Sequence, residues 1–204
     1  MKNLLIIIAL LIAGSSHAQK SVSTKNSGSK KLYMDVHYME PGKVKFEDVA
    51  DAHKKDLVTQ KKYDVNFIKY WVDEKNGLVY CLSSAKDSAS VKQTHAEAHG
   101  LIPGRVYEVT SGTEEKGITP ENLVLDIHYL GEGKVTAKDV SEAHQKDLNV
   151  QDKNNVRFIN YWVDEKAGVE FCLSQAKNKD DVTKTHSEAH GLIPMSIESV
   201  KEGN

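Results

Sequence analysis

The sequence of 204 residues has few of the residues that build several common kinds of site. Its two cysteines are too few for a disulfide framework or for a zinc site built on Cys-x-x-Cys pairs. It has little excess charge, since 27 Lys and Arg oppose 29 Asp and Glu for a formal net charge of −2. This balance excludes the broad basic face that binds nucleic acid or an anionic membrane. Its apolar run at residues 4–13 is far shorter than the roughly 20 residues that span a bilayer.

The N-terminus has the pattern of a secretory signal peptide, residues 1–18. Lys2 supplies the positive charge, an apolar segment follows, and Ser16 and Ala18 place small side chains before a cleavage site at Gln19. An uncleaved anchor is the alternative. We expect an exported protein, periplasmic or secreted, with no membrane attachment after cleavage. The polar residues 19–31 lack periodicity and are predicted to be a flexible leader.

The rest of the chain is an internal duplication with a constant offset of 91 residues. LYMDVHYM at 32–39 returns as LVLDIHYL at 123–130, and THAEAHGLIP at 94–103 returns as THSEAHGLIP at 185–194. We therefore predict two repeats, 32–109 and 123–204. They are joined by a linker at 110–122 that is rich in charges and contains Gly and Pro.

Periodicity within a repeat predicts the order β-α-β-β-α-β. In the first copy, strands are predicted at 32–39, 65–73, 78–84 and 105–109, with helices at 46–62 and 88–99. This order is typical of an α+β ferredoxin-like domain, with one antiparallel sheet and both helices on one face. Each sheet would leave its other face uncovered. We expect the two domains to pack as an intramolecular pseudo-dimer with their sheets facing each other, as a sandwich or a barrel.

The chain has nine histidines, a high number for its size, and eight of them form matched pairs between the repeats. His95 and His99 are four residues apart on a predicted helix, a spacing that lets two imidazoles bind one metal ion. A zinc-protease helix would have Glu after the first His, where Ala96 stands. Two partly exposed helix histidines are the alternative explanation. The candidate metal ligands among the histidines are His37, His53, His95, His99, His128, His144, His186 and His190.

Four aspartates accompany these histidines at repeated spacings. Asp56 lies three residues after His53 on one helix face, and Asp35 shares a strand face with His37. Because apolar residues occupy the other face of that strand, we expect Asp35 and His37 to point into the interface between the repeats. Asp126 and His128 of the second repeat would face them there. A hydrogen-bonded polar core, or a His–Asp pair joining two helices, is the alternative to a metal site. The candidate carboxylate ligands are Asp35, Asp56, Asp126 and Asp147.

Cys81 and Cys172 occupy equivalent positions in a predicted strand. A buried, inert thiol is the favoured interpretation for each, ahead of a metal ligand. A disulfide between the repeats stays open, because an exported protein can form one.

Four segments of the first repeat resemble a family of small bacterial nickel-binding proteins: AHKKDL (52–57), YWVDEKNG (70–77), YCLSSAKD (80–87) and HAEAHGLIP (95–103). The resemblance implies a ferredoxin-like fold, which in this family is usually a single domain that forms homodimers. It also implies nickel binding, for sequestration or homeostasis, with no established catalytic reaction. The duplication and the signal peptide depart from the family pattern.

We therefore predict an exported protein whose partner is a divalent transition metal ion, without assigned catalytic residues. Imidazole and carboxylate ligands suit nickel, zinc, copper or cobalt, and only the resemblance favours nickel. The alternative is a dimeric α/β-barrel-like enzyme that uses the His53–Asp56 pair for acid–base chemistry on a small molecule. A metal-free interaction domain is a third option, and further oligomerisation stays open.

Overall fold

The computed structural model describes residues 29–204 of the chain. The predicted signal peptide, residues 1–18, and residues 19–28 of the predicted leader lie outside the described residues. Within residues 29–204, none of the helices has the length and apolar character needed to cross a membrane.

Each repeat forms its strands and helices in the order β-α-β-β-α-β. The first repeat contains β1 (Lys31–Tyr38), α1 (Phe46–Thr59), β2 (Asn66–Asp73), β3 (Leu78–Ala85), α2 (Ser88–Ala98) and β4 (Arg105–Ser111). The second contains β5 (Leu123–Tyr129), α3 (Ala137–Val150), β6 (Arg157–Asp164), β7 (Val169–Gln175), α4 (Lys179–Ala189) and β8 (Ser196–Gly203). A 3-10 turn follows the first helix of each repeat, at Gln60–Tyr63 and Gln151–Asn154.

The eight strands form one closed antiparallel barrel in the order β1-β3-β2-β8-β5-β7-β6-β4. The last strand of each repeat joins the two halves. β4 pairs with β1 and then with β6, where Ser111 lies opposite Trp162. β8 pairs with β5 and also with β2, where Glu202 lies opposite Trp71.

The predicted fold, two separate ferredoxin-like domains with facing sheets, is therefore wrong. Two facing sheets would leave the outer edges of β2, β4, β6 and β8 with unpaired backbone N–H and C=O groups. Such edges are prone to pair with other strands. In this chain each of these edges pairs with an edge from the other repeat, so the two sheets merge into one barrel.

The barrel interior is filled by apolar side chains from both repeats. Met34 and Val36 of β1 lie in the same buried cluster as Leu125 of β5. The rings of Trp71 and Trp162 meet near the junction of the repeats, with their centroids 5.1 Å apart. Because side chains alternate along a strand, the residues between these inward positions point outward from the barrel.

A second layer of core lies between the barrel wall and the helices of each repeat. Tyr33 of β1 packs there with Val91 of α2, and Val124 of β5 packs with Val140 and Val182 of α3 and α4. The outward-pointing side chains of β1 and β5 are therefore covered by helices. The histidines and aspartates of the site lie in these layers between the barrel and the helices, one layer in each repeat.

Candidate metal centres

The helix α2 carries two histidines at its C-terminal end. His95 lies in the last turn and His99 caps the helix. Gly100 follows with a φ of +81°, a left-handed conformation that suits glycine, and its N–H donates to the carbonyl of His95 at 3.0 Å. In this helix ending, Nε2 of His99 lies 3.2 Å from Nδ1 of His95.

Two aspartates from other elements join these histidines. Oδ1 of Asp56, on α1, lies 3.1 Å from Nδ1 of His95, and its Oδ2 lies 3.2 Å from Nε2 of His99. Asp35, on β1, lies 3.4 Å from Nε2 of His95 and 3.1 Å from Nε2 of His37. We call Asp35, His37, Asp56, His95 and His99 the repeat 1 cluster.

The second repeat builds the same arrangement from Asp126, His128, Asp147, His186 and His190, the repeat 2 cluster. Oδ1 of Asp147 lies 3.0 Å from Nδ1 of His186 and 3.1 Å from Nε2 of His190. The two histidine nitrogens are 3.3 Å apart. Asp126 lies 3.4 Å from Nε2 of His186 and 3.1 Å from Nε2 of His128.

The central histidine of each cluster is positively charged at neutral pH. Burial opposes protonation of His95, but the hydrogen bonds and charges of Asp35 and Asp56 outweigh it and raise the pKa to about 9. In repeat 2, Asp126 and Asp147 likewise outweigh burial and raise the pKa of His186 to about 10. The protonated imidazole therefore bridges the two carboxylates of its cluster, with one ring N–H directed toward each.

The aspartates are held ionised by the same contacts. Burial alone would raise the pKa of Asp35, but the hydrogen bonds and charges of His37 and His95 outweigh it, and the net shift is downward. The pKa of Asp56 is also lowered, because His95 and His99 outweigh its burial. Each repeat therefore presents two ionised carboxylates to one buried site.

A backbone contact fixes the tautomer of the capping histidine. The N–H of Leu101 donates to Nδ1 of His99 at 3.2 Å, and the N–H of Leu192 donates to Nδ1 of His190 at 3.1 Å. In the neutral ring the proton is then on Nε2, from which it donates to Asp56 or Asp147. A metal ion at this nitrogen would have to replace that proton.

Within residues 29–204, four groups of side chains place one potential ligand atom from each member within 4.8 Å of the others. His95 belongs to both groups of repeat 1, and His186 to both groups of repeat 2. The groups are Asp35/His37/Cys81/His95, Asp56/His95/His99, Asp126/His128/His186 and Asp147/His186/His190. Imidazole and carboxylate donors at this spacing fit a divalent transition metal ion.

Two of the predicted ligands, His53 and His144, belong to none of these groups. The ring of His53 packs on Tyr70, with centroids 4.7 Å apart, and the ring of His144 packs on Tyr161 at the same distance. Burial lowers the pKa of His53, although the charge of Asp56 opposes this shift. His53 is therefore a neutral histidine beside the cluster.

The predicted direction of Asp35 and His37 is wrong. They do not face Asp126 and His128 across an interface, because the alternate residues Met34 and Val36 fill the barrel interior. Asp35 and His37 point outward into the layer beneath α1 and α2. The apolar face of β1 points into the closed barrel, and the polar face of the same strand contacts histidines of the helices.

The two cysteines lie apart and are free. Cys81 is in the core beneath the helices of repeat 1 and Cys172 in that of repeat 2, outside opposite halves of the barrel, so they do not pair. Burial raises the pKa of the Cys81 thiol well above its usual value. Cys81 nevertheless lies beside Asp35, His37 and His95, with its sulfur within reach of a shared ion, as the metal-ligand alternative for this residue requires.

A further carboxylate, Glu170, was not among the predicted site residues. It lies directly opposite His128 in the β5–β7 ladder, where repeat 1 has Val79 opposite His37. Burial, opposed by the charge of His128, raises its pKa to about 7. The signal was present in the sequence, because aligning the repeats places a charged residue in a strand position that is apolar in the other copy.

A cavity of about 270 Å³ opens beside the repeat 1 cluster. His37, Asp56, His95 and His99 form part of its wall, so the cluster is accessible from the cavity. The rest of the wall combines six apolar side chains with Cys81, His53 and three charged residues, Glu40, Lys43 and Asp48. Its apolar side chains are Met39, Val44, Val49, Ala52, Val79 and Leu101.

Solved structures similar to this chain come from several bacteria. SCO4226 from Streptomyces coelicolor A3(2) is 31% identical over 38% of this chain and 93% of its own, with a TM-score of 0.36. A putative monooxygenase from Lactobacillus acidophilus NCFM is 11% identical over 86% of this chain and 93% of its own (TM-score 0.44). A chlorite dismutase from Candidatus Nitrospira defluvii is 10% identical over 87% and 91% (TM-score 0.44).

Among curated proteins, none matches the chain. The sequence does match one protein family twice, over residues 33–109 and 125–200. The two matches fall on the two repeats and include every residue of both clusters. The chain therefore belongs to the SCO4226-like family of nickel-responsive proteins, as a tandem duplication of its domain.

Proposed function

We propose that the protein binds divalent transition metal ions, one in each repeat, and that nickel is the ion it takes up. In repeat 1 the ligands are His95, His99 and Asp56. In repeat 2 they are His186, His190 and Asp147. The protein would sequester the metal after export rather than use it for a reaction.

The spacing of three ligand atoms in repeat 2 is the observation that supports this function. Nδ1 of His186, Nε2 of His190 and Oδ1 of Asp147 are 3.0–3.3 Å from one another. Ligands bonded at about 2.1 Å to one ion lie roughly 3.0 Å apart at right angles and about 3.4 Å apart at tetrahedral angles. Two histidines and one carboxylate on a single face leave the other coordination positions open.

The second aspartate of each cluster supports the same function. Asp35 lies at Nε2 of His95, on the opposite side of the ring from Asp56 and His99. Metal-binding histidines commonly donate their second N–H to a carboxylate, which fixes the ring and makes the ligating nitrogen more basic. Asp35 would serve this role once an ion replaced the proton on Nδ1 of His95.

The choice of nickel follows from the family. Its description as nickel-responsive favours this ion. The donor set alone would also accept zinc, cobalt or copper, and intrinsic affinity for such ligands rises from cobalt through nickel to copper. Nickel, zinc, cobalt and copper therefore have to be compared in the same titration.

Calorimetric titration of the purified protein with nickel tests the proposal. We expect two ions per chain, with one site lost in His95→Asn and the other in His186→Asn, because each histidine belongs to both groups of its repeat. The double variant should bind none. His53→Asn is the matched control and should still bind two, since His53 is outside the groups.

Thermal unfolding of each metal-free variant checks that it folds. If folded wild-type protein binds none of the four ions more tightly than about 100 μM, an affinity of roughly 5.5 kcal/mol, the proposal is overturned. Tighter binding of zinc, cobalt or copper than of nickel would contradict the choice of nickel only.

Export is a separate part of the proposal and rests on residues 1–18. In a bacterial host that expresses the full sequence, we expect the protein in the periplasm or the medium, with Gln19 as its first residue. Cell fractionation with N-terminal sequencing measures both. Cytoplasmic protein that retains residues 1–18 would contradict export without affecting metal binding.

The cavity beside His37 and His53 favours a second candidate, an acid–base enzyme for a small molecule. His53 is neutral, and its Nδ1 is buried without a hydrogen-bond partner. An enzyme that uses His53 would bind its small molecule without metal. A compound that stabilises the chelated wild-type protein but not His53→Gln would support this candidate. If every stabilising compound requires bound metal, this candidate is excluded.

A further inference from the structure

The walls of the two metal-binding layers differ in charge at two positions, where Glu40 and Val79 of repeat 1 correspond to Gly131 and Glu170 of repeat 2. Only the second of these positions lies opposite a histidine of the cluster. In repeat 1, Val79 lies opposite His37, and in repeat 2, Glu170 lies opposite His128. Several neighbouring wall positions are identical or similar between the repeats, including Val44 and Val135, Val49 and Val140, and Ala52 and Ala143. The Val-to-Glu difference therefore adds a carboxylate to a strand position whose neighbours on α1 and α3 are unchanged.

Glu170 places a third carboxylate beside the repeat 2 cluster. The residue is 9% exposed, and the charges of Asp126, His128 and His186 all act on it. A buried carboxylate costs free energy unless a positive group or hydrogen bonds offset its lost hydration. A metal ion held by Asp147, His186 and His190 would supply positive charge within this layer.

Repeat 1 has space and apolar surface where repeat 2 has this carboxylate. The cavity of about 270 Å³ is close to the lower end of the roughly 300–1,000 Å³ that small-molecule sites occupy. Its wall combines apolar side chains with the ligand residues Asp56, His95 and His99. A molecule in this cavity would lie against a metal ion bound there and against apolar side chains at the same time.

We propose that the repeat 1 site binds its metal ion together with a small organic ligand, which has an apolar body and one metal-coordinating head group. In repeat 2, the carboxylate of Glu170 takes the place of that head group, so this site is closed to such ligands. The inference rests on the proposed metal binding and adds the class of the second ligand. It makes the two sites of the chain chemically different.

Titration of the nickel-loaded protein with 4-phenylimidazole tests this inference, with imidazole as the control that lacks the apolar body. We expect one 4-phenylimidazole per chain, bound at least tenfold more tightly than imidazole, with a change in the nickel absorption spectrum. Val79→Glu should abolish this binding. Glu170→Val should raise the number of 4-phenylimidazole molecules bound from one to two.

A second cavity variant guards against misfolding of Val79→Glu. Ala52→Leu fills the cavity without a buried charge and should weaken 4-phenylimidazole at least tenfold while two nickel ions still bind. Nickel stoichiometry is measured first on every variant. Two bound nickel ions with no preference for 4-phenylimidazole over imidazole would overturn this inference alone. Absence of nickel binding in the wild-type protein would overturn the proposed function on which it rests.

Discussion

At the scale of single residues, the site depends on one charged histidine between two buried carboxylates. His95 contacts Asp35 through Nε2 and Asp56 through Nδ1, and it is 1% exposed. An ion pair of this kind stabilises the fold only while all three groups keep their charges. The metal-free protein should therefore lose stability when the histidine loses its proton.

We predict that the free energy of unfolding of the chelated protein falls as the pH rises from 7 to 9. Because the folded pKa of His95, about 9, and that of His186, about 10, exceed the usual value of 6.5, their contribution is complete below pH 6.5. It is lost progressively between pH 6.5 and the folded pKa values, at up to about 1.4 kcal/mol per pH unit for each histidine. Urea unfolding at a series of pH values measures this slope.

The aspartates act at the other end of the pH range. The pKa values of Asp35 and Asp56 are lowered, so their contribution to the free energy of unfolding is present above their usual pKa and is lost as the pH falls below it.

The variant His186→Gln is the control for the alkaline slope and should remove about half of it. A wild-type profile that is flat between pH 7 and 9 would contradict the charged state of both histidines.

The sequence was sufficient to find most residues of the clusters, but not their directions. The spacing of four residues identified His95 and His99 as neighbours. Asp56 was singled out with His53 as its partner, whereas it contacts His95 and His99. A period of two separates the faces of β1 but does not say which face meets the helices, and Asp35 was assigned to the wrong side. Cys81 was favoured as an inert thiol, and Glu170 was overlooked because it has no polar counterpart in repeat 1.

At the scale of elements, the β6–β7 hairpin is fixed against the chain that follows β5. Gly168 has a φ of +64°, and its carbonyl accepts a hydrogen bond of 2.7 Å from the N–H of Leu130. A Cβ added to Gly168 would lie 2.0 Å from the carbonyl oxygen of Gly131. That oxygen belongs to the backbone leading into α3, which carries Asp147, so it cannot move without displacing this helix.

Gly168→Ala should therefore destabilise the fold by more than the strain of a left-handed backbone alone would do. We predict a loss of roughly 3 kcal/mol in the free energy of unfolding, because a clash with backbone adds to the strain of a left-handed alanine. Gly100→Ala is the matched control, since its φ is +81° but the added Cβ meets no atom within 4 Å. It should lose only about 1 kcal/mol. Equal losses in the two variants, measured by urea unfolding, would show that the close approach is unimportant.

At the scale of the whole molecule, the closure of the barrel was not available from local sequence pattern. The element order was predicted from periodicity, which is a property of each segment. Closure depends on pairing between β4 and β6 and between β8 and β2, across the two repeats. The predicted strand at 105–109 stops before Thr110 and Ser111, the residues of β4 that pair with β6.

One polar contact across the junction between β2 and β8 has no counterpart at the junction between β4 and β6. The Nδ2 group of Asn76 donates to Asp73 at 2.6 Å and to Glu198 of β8 at 2.7 Å. The equivalent positions at the other junction hold Ala167 in place of Asn76 and Tyr107 in place of Glu198. Burial and a hydrogen bond that Glu198 donates to Asp73 raise the pKa of Glu198. Asn76 therefore bridges two buried carboxyl groups that already interact.

We predict that Asn76→Ala lowers the free energy of unfolding by about 2–3 kcal/mol at pH 7, because it removes two hydrogen bonds to charged or buried acceptors. Asn76 favours the ionised form of Glu198, so its removal raises that pKa further, and the loss should be larger at pH 7 than at pH 5. Glu198→Gln added to Asn76→Ala should recover part of the stability by removing one of the facing carboxylates. Urea unfolding at both pH values measures these differences. An ordinary surface substitution changes the free energy of unfolding by up to about 0.5 kcal/mol. A loss below that value in Asn76→Ala would show that this bridge does not hold the two repeats together.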